Sequence, residues 1–250
     1  MTLPVIQQPI FETTLPSTKE LITFRAFTVK EEKILLRSIA TNDPKEMNMA
    51  MKQIISNCLI NPEKDILKRV TAFDVEWLLA QFRCHSIEPK ITKEYLCKNE
   101  VEGIVCDNKI ILQIDLEKDM PKNMEEPNDY SFNPDIVLSD SLTITMKQAP
   151  MFEVIEKNTL IETPEDEIEE TFNLIYESTE AVYINQKKYS IKDMEKQEFI
   201  SLLEQLTESQ FEKIEKFISN VPYFEVKKKE KCSKCGFEHE FVFGDPSSFF

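Results

Sequence analysis

Apolar and polar positions along the chain divide it into stretches that alternate and stretches that repeat at helical spacing. Phe11-Glu12-Thr13-Thr14-Leu15 and Leu21-Ile22-Thr23-Phe24-Arg25-Ala26-Phe27 are rich in strand formers, and Pro16-Ser17-Thr18-Lys19-Glu20 reads as the turn between them. Residues 1–27 are therefore expected to form an N-terminal β-hairpin arm. Thr28 is placed to cap a helix from Val29 to Ile39, whose Ile34, Leu35 and Ile39 share a face. Asp43, Pro44 and Glu46 open a second helix carrying Met47, Met51, Ile54 and Ile55. Asn61-Pro62 restarts the chain into Ile66, Leu67 and Val70. Thr71 opens a further helix from Ala72 to Cys84, in which Phe73, Val75, Trp77, Leu78, Leu79, Ala80 and Phe82 leave little polar face. A helix apolar nearly all round is expected at the centre of a core. Residues 28–90 thus read as a helical region.

From residue 91 to 149 the pattern turns to strands, at Tyr95–Cys97, Lys109–Asp115 and Leu142–Met146, with an acidic, Pro- and Asn-rich loop expected over Met120–Asn133. Residues 150–222 return to helical spacing. Thr163-Pro164-Glu165-Asp166 signals a helix start, with Ile168, Phe172, Leu174 and Ile175 as its apolar side. Val182-Tyr183-Ile184 and Lys188-Tyr189-Ser190-Ile191 predict a small hairpin around Asn185-Gln186-Lys187. Phe199, Leu202, Leu203 and Leu206 mark one helix, and a Thr207/Gln210 capping box opens another with Phe211, Ile214, Phe217 and Ile218. Residues 223–250 end in strands around Val226 and Phe241-Val242-Phe243, then the aromatic tail Phe249-Phe250.

Composition narrows the function. The net charge is −15, which disfavours nucleic acid and anionic lipid and keeps a surface soluble. No apolar run reaches the roughly 20 residues that cross a bilayer, and Met1-Thr2-Leu3-Pro4-Val5-Ile6 lacks the features of a signal peptide, so a cytoplasmic protein is expected. Gly103, Gly236 and Gly244 are the only glycines, which removes the phosphate-binding loop, the dinucleotide fingerprint and the nucleophile elbow. The two histidines, His85 and His239, stand in no motif, and no enzymatic activity is expected. Asp74 is an acid inside the most apolar helix. It reads as structural, either by serving first-turn amides or by pairing with a base such as Arg83.

The cysteines carry the one chemical signal. Cys232-Ser233-Lys234-Cys235-Gly236 is a CxxCG turn between strands, the setting of a zinc knuckle rather than of a redox motif at a helix start. Structural zinc takes four ligands, and the best second pair is Cys97 and Cys106, separated by eight residues that include Gly103. Each pair feeds a strand. Cys97, Cys106, Cys232 and Cys235 are thus the candidate ligands of one structural zinc ion in a split ribbon; the alternative is a ribbon of reduced thiols that holds without metal. His239 is a substitute ligand or a strand histidine facing solvent, the latter being preferred. Cys58 and Cys84 lie in apolar helical segments and read as core packing. The expected fold class is α+β: a mainly helical body with an N-terminal β-hairpin and a small split zinc-ribbon-like β element.

Three stretches coincide in order. Leu15-Pro16-Ser17-Thr18-Lys19-Glu20 runs through Phe24-Arg25-Ala26-Phe27 into Val29-Lys30-Glu31-Glu32-Lys33. Thr71-Ala72-Phe73-Asp74 runs through Leu78 to Arg83. Cys232-Ser233-Lys234-Cys235-Gly236 and Phe249-Phe250 close the chain. Together they resemble the baseplate protein family of T-even-type bacteriophages, over nearly the whole length. The resemblance implies work on the central hub of a tail baseplate: an assembly factor, or chaperone, made late in infection. Its partners would be phage baseplate hub proteins, with neither nucleic acid nor membrane, in the host cytoplasm, and it would be scarce in the mature virion. It implies no enzymatic residue, and Asp74 falls on the family's Phe-Asp segment as a fold determinant. A structural hub subunit retained in the virion and a zinc-ribbon adaptor acting on host transcription are the alternatives.

Overall fold

The N-terminal hairpin pairs β1 (Ile10–Thr14) with β2 (Leu21–Arg25), antiparallel, with Phe11 opposite Phe24. The turn is closed by the Leu15 N–H donating to the Glu20 carbonyl at 2.9 Å. These elements belong to a computed structural model that describes residues 8–41, 43–60, 62, 65–86, 88–120, 134–152, 164–221 and 224–244. Most of the expected Met120–Asn133 loop, the Thr163 cap position and the Phe249-Phe250 tail lie outside the described residues. The chain falls into two compact units, one formed by Met1–Glu63, Phe73–Pro127 and Tyr223–Phe250, the other by Lys64–Ala72 and Asn128–Pro222.

In the first unit the hairpin leads into α1 (Val29–Thr41) and α2 (Pro44–Cys58), and later α3 (Ala72–Ser86). The start of α1 is held by Glu31, three residues after Thr28. The fully buried Glu31 carboxylate accepts from the Thr28 N–H at 3.0 Å, from Arg25 Nη2 at 2.9 Å and from Asn57 Nδ2 at 3.2 Å. Asp43 caps α2 by accepting from the Lys45 N–H at 2.9 Å. Helix α3 is buried on nearly every side, as its composition requires. The Phe82 ring lies 5.1 Å from that of Phe24, and the Trp77 indole N–H donates to Thr13 Oγ1 at 2.9 Å. Asp74 has a partner that neither sequence reading named: its carboxylate accepts from the Ser17 N–H at 3.0 Å and the Ser17 hydroxyl at 2.6 Å, pinning the hairpin turn to α3. The remaining elements of this unit are β3 (Lys90–Leu96), β4 (Glu100–Val101), β5 (Ile104–Val105), β6 (Lys109–Asp115), the single turn α4 (Leu116–Asp119), β11 (Val226–Lys231) and β12 (Glu238–Phe243).

The second unit is built on an antiparallel four-stranded sheet in the order β10-β9-β8-β7, from β7 (Asp135–Ser139), β8 (Leu142–Met146), β9 (Thr179–Ile184) and β10 (Lys187–Ser190). The β9–β10 turn places Asn185 and Gln186 at φ 49° and 65°, the two left-handed positions that match the twist of a two-residue hairpin. Helices α5 (Pro164–Glu177), α6 (Lys196–Leu203) and α7 (Glu208–Ser219) complete the unit. Its core comprises Ile144, Met146, Ile175, Val182, Phe199, Leu203 and Ile214. The Thr207 N–H donates to Gln210 Oε1 at 2.9 Å, one half of the capping box that starts α7. Ile168, expected on the apolar side of α5, is exposed; that side is carried by Phe172, Ile175 and Tyr176. Strand β7 was not anticipated. It packs by pairing with β8, and Lys213 and Gln210 of α7 donate to its Val137 and Leu138 carbonyls at 2.9 and 3.2 Å. Helices and antiparallel sheets together make the fold α+β.

Candidate metal centre

Strands β3 and β6 form a long hairpin whose last ladder pair is Leu96 and Lys109. Alternation decides its orientation: Ile110, Leu112 and Ile114 of β6 point inward. Beyond the ladder, the Cys97 N–H donates to the Asn108 carbonyl at 2.9 Å and the Cys106 N–H to the Asn99 carbonyl at 2.8 Å. The residues between fold into the β4–β5 hairpin, turning at Glu102 and Gly103 with φ 53° and 80°. The wide spacing of this cysteine pair is therefore taken up by a miniature hairpin, whose base returns Cys106 to Cys97.

Strands β11 and β12 pair antiparallel, and the CxxCG turn joins them. The Gly236 N–H donates to the Cys232 carbonyl at 2.8 Å and the Cys232 N–H to the Phe237 carbonyl at 2.9 Å. Gly236 stands at φ 73°, and a Cβ there would meet nothing within 4 Å. Glycine is required by the backbone angle and not by crowding.

The two turns meet. Cys97, Cys106 and Cys232 are buried and Cys235 is half-buried, and their four sulfurs all lie within 4.8 Å of one another. The Cys97 and Cys235 sulfurs are 3.6 Å apart, and those of Cys106 and Cys232 3.8 Å. Disulfides need about 2.05 Å; these are free thiols. A tetrahedral site with zinc–sulfur bonds of about 2.3 Å has sulfur–sulfur edges of roughly 3.8 Å, so the cluster is spaced as a four-thiolate site requires, and it could hold a metal ion. Ile110 is buried with the cysteines, and the Tyr95 and Phe241 rings packed against this cluster lie 4.6 Å apart.

The proton inventory of the cluster is uneven. The Cys235 backbone N–H holds the Cys232 thiol down to about 6 against its burial, aided by the Lys234 N–H and the Asn108 side chain. Burial pushes the Cys97 thiol up to about 12, against the Asn99 backbone N–H. At Cys106 the Asn108 backbone N–H pulls the thiol down, but burial and the neighbouring thiols outweigh it. At Cys97 and Cys106 the thiols keep protons that a cation would displace on binding.

A model of the T4 bacteriophage base plate protein family matches residues 8–250. The chain belongs to that family. No curated protein and no solved structure matches it. The family match spans the hairpin arm, α3 and both cysteine turns of this base plate protein. Among its described residues no helix is long and apolar enough to cross a membrane.

The other singled-out side chains of the base plate protein fall into place around this geometry. His239 does not face solvent: it is half-buried, with Nε2 3.1 Å from the Cys97 sulfur. It shares the inward face of β12 with Phe241 and Phe243, and this two-residue period was the signal that could have found it. Asn99 and Asn108 were missed as well. Asn99 Nδ2 lies 3.7 Å from the Cys235 sulfur and Asn108 Nδ2 3.5 Å from that of Cys232. Their signal was a shared spacing, each asparagine standing two residues after a cysteine of the first pair. Cys58 and Cys84 are buried away from the cluster in α2 and α3, and burial pushes the Cys58 thiol up to about 12, the behaviour of a packing thiol.

Proposed function

We propose that this base plate protein is an assembly factor for the tail baseplate hub, of the hub assembly catalyst type, rather than the shorter hub assembly protein type of the same family. Family membership over residues 8–250 is the observation that carries this reading, and the chain length supports the catalyst type. The protein acts by binding hub components in the host cytoplasm during virion assembly and does no chemistry on a substrate. Its net charge of −15 suits a protein partner with basic surface and opposes nucleic acid. The four-cysteine cluster takes one structural zinc, held by Cys97, Cys106, Cys232 and Cys235. Four thiolate ligands leave no open position for water, so the metal joins the two ribbons and activates nothing.

Two measurements test this. Mass spectrometry of purified virions is expected to find the protein scarce relative to hub subunits; stoichiometric copies would show a retained structural subunit instead. Affinity capture from infected cells is expected to bring down baseplate hub proteins. Capture of host RNA polymerase without any hub component would overturn the assembly role in favour of a transcription adaptor.

A further inference from the structure

Among the described residues, the side-chain nitrogens within reach of a cysteine sulfur come from across the joint. Asn99 follows Cys97 on the first turn, yet its Nδ2 is directed at the Cys235 sulfur of the second, at 3.7 Å. Asn108 follows Cys106, yet its Nδ2 is directed at the Cys232 sulfur, at 3.5 Å. In return, His239 of β12 puts Nε2 3.1 Å from the Cys97 sulfur, and Lys234 donates to the Cys106 carbonyl at 2.9 Å. The orientation of the Asn108 amide is set by its other neighbours. The same nitrogen lies 3.3 Å from the Lys109 carbonyl, an acceptor only, and 3.1 Å from Ser233 Oγ, so it is the NH₂ end that faces Cys232.

A metal bound by four thiolates carries a net charge of −2 in a largely buried site. Such charge is stabilised by N–H donors aimed at the sulfurs, and donors of this kind fix ligand orientation and metal affinity. We propose that Asn99, Asn108 and His239 are positioning residues for the metal, each donating an N–H across the joint to a thiolate of the other turn. Here they brace two turns that are distant in sequence, so each turn supplies part of the charge stabilisation its partner needs. This inference rests on the metal reading above and deepens it.

The test uses the full chain purified with its metal. Asn99→Leu and Asn108→Leu keep the side-chain size and remove the N–H donor without adding charge. A space-filling role predicts wild-type behaviour for both. The donor role predicts zinc transfer to a chromophoric chelator at least about tenfold faster than wild type, within the range typical of outer-shell changes. It also predicts that the sulfur-to-metal charge-transfer band of the cobalt(II)-substituted protein moves to lower energy, because thiolates that lose an N–H donor are stronger electron donors. One metal per wild-type chain, with release rates and band unchanged in both variants, overturns the inference and leaves the metal reading standing. Wild-type protein without metal overturns both. If the asparagine variants do not fold, His239→Phe keeps a ring beside Phe241 and removes the imidazole nitrogens, the Nε2 donor among them. The same acceleration and band shift are expected there, and wild-type values would refute the proposal.

Discussion

Glu31→Gln would test the ion pair that joins the hairpin arm to α1. The Glu31 side chain is fully buried, while that of Arg25 is 24% exposed, with Arg25 Nη2 2.9 Å from Glu31 Oε1. Burial pushes this carboxyl up, but the Arg25 guanidinium and the Thr28 hydroxyl and N–H outweigh it and hold it down to about 2, from an ordinary 4.5. The sign follows from linkage. A carboxyl whose folded value is depressed contributes stability that is complete above its unfolded value and is lost as pH falls through the folded one. The drop corresponds to at most about 3 kcal/mol, and solvent screening at the partly exposed Arg25 reduces it to about 1–2 kcal/mol. Glutamine also leaves the guanidinium with a neutral partner, so Glu31→Gln is expected to cost about 2–4 kcal/mol at pH 7. The gap to wild type should narrow by about 1 kcal/mol by pH 3.5, with the window lying between about pH 5.5 and pH 2. Urea denaturation followed by the fluorescence of Trp77, the only tryptophan and part of the same unit, reads this directly. A gap that stays constant from pH 7 to pH 3.5 would refute the ion-pair account.

Three further outcomes are expected. Trp77→Ala, at a side chain 3% exposed, should cost about 3–5 kcal/mol by denaturation, and the native emission should be blue-shifted; a water-exposed emission maximum contradicts the packing. Asp74→Ala strips the Ser17 N–H and hydroxyl of a charged acceptor and should cost about 1.5–3 kcal/mol, whereas Ser17→Ala, which keeps the N–H bond, should cost about 1 kcal/mol; equal losses would show that the hydroxyl alone matters. Cys232→Ser should lower the metal content below one per chain and reduce Tm by several degrees. If elemental analysis of wild-type protein finds no metal and the substitution is mild, the ribbon holds without one.

Local sequence determined the elements whose causes are local. The hairpin arm, the capped starts of α2 and α7, and the burial of α3 follow from turn residues, caps and apolar period, all of which act within a few residues. The four cysteines were legible as candidates because a CxxCG turn between strands has few other uses, and family membership was legible in the order of weak motifs. Other features depended on partners far along the chain. Strand β7 exists because β8 and α7 complete it. Asp74 finds Ser17, 57 residues earlier, and no spacing rule links the two. His239, Asn99 and Asn108 meet sulfurs that lie 124 to 142 residues away in sequence, across the joint between the two turns. Their positions were visible as a strand period and a repeated offset, but an N–H becomes a thiolate donor only when tertiary packing sets it within reach of the sulfur. The sequence by itself named the ligand atoms; the packing of β6 against β11 and of Tyr95 against Phe241 decided that they share one centre, and which side chains surround it.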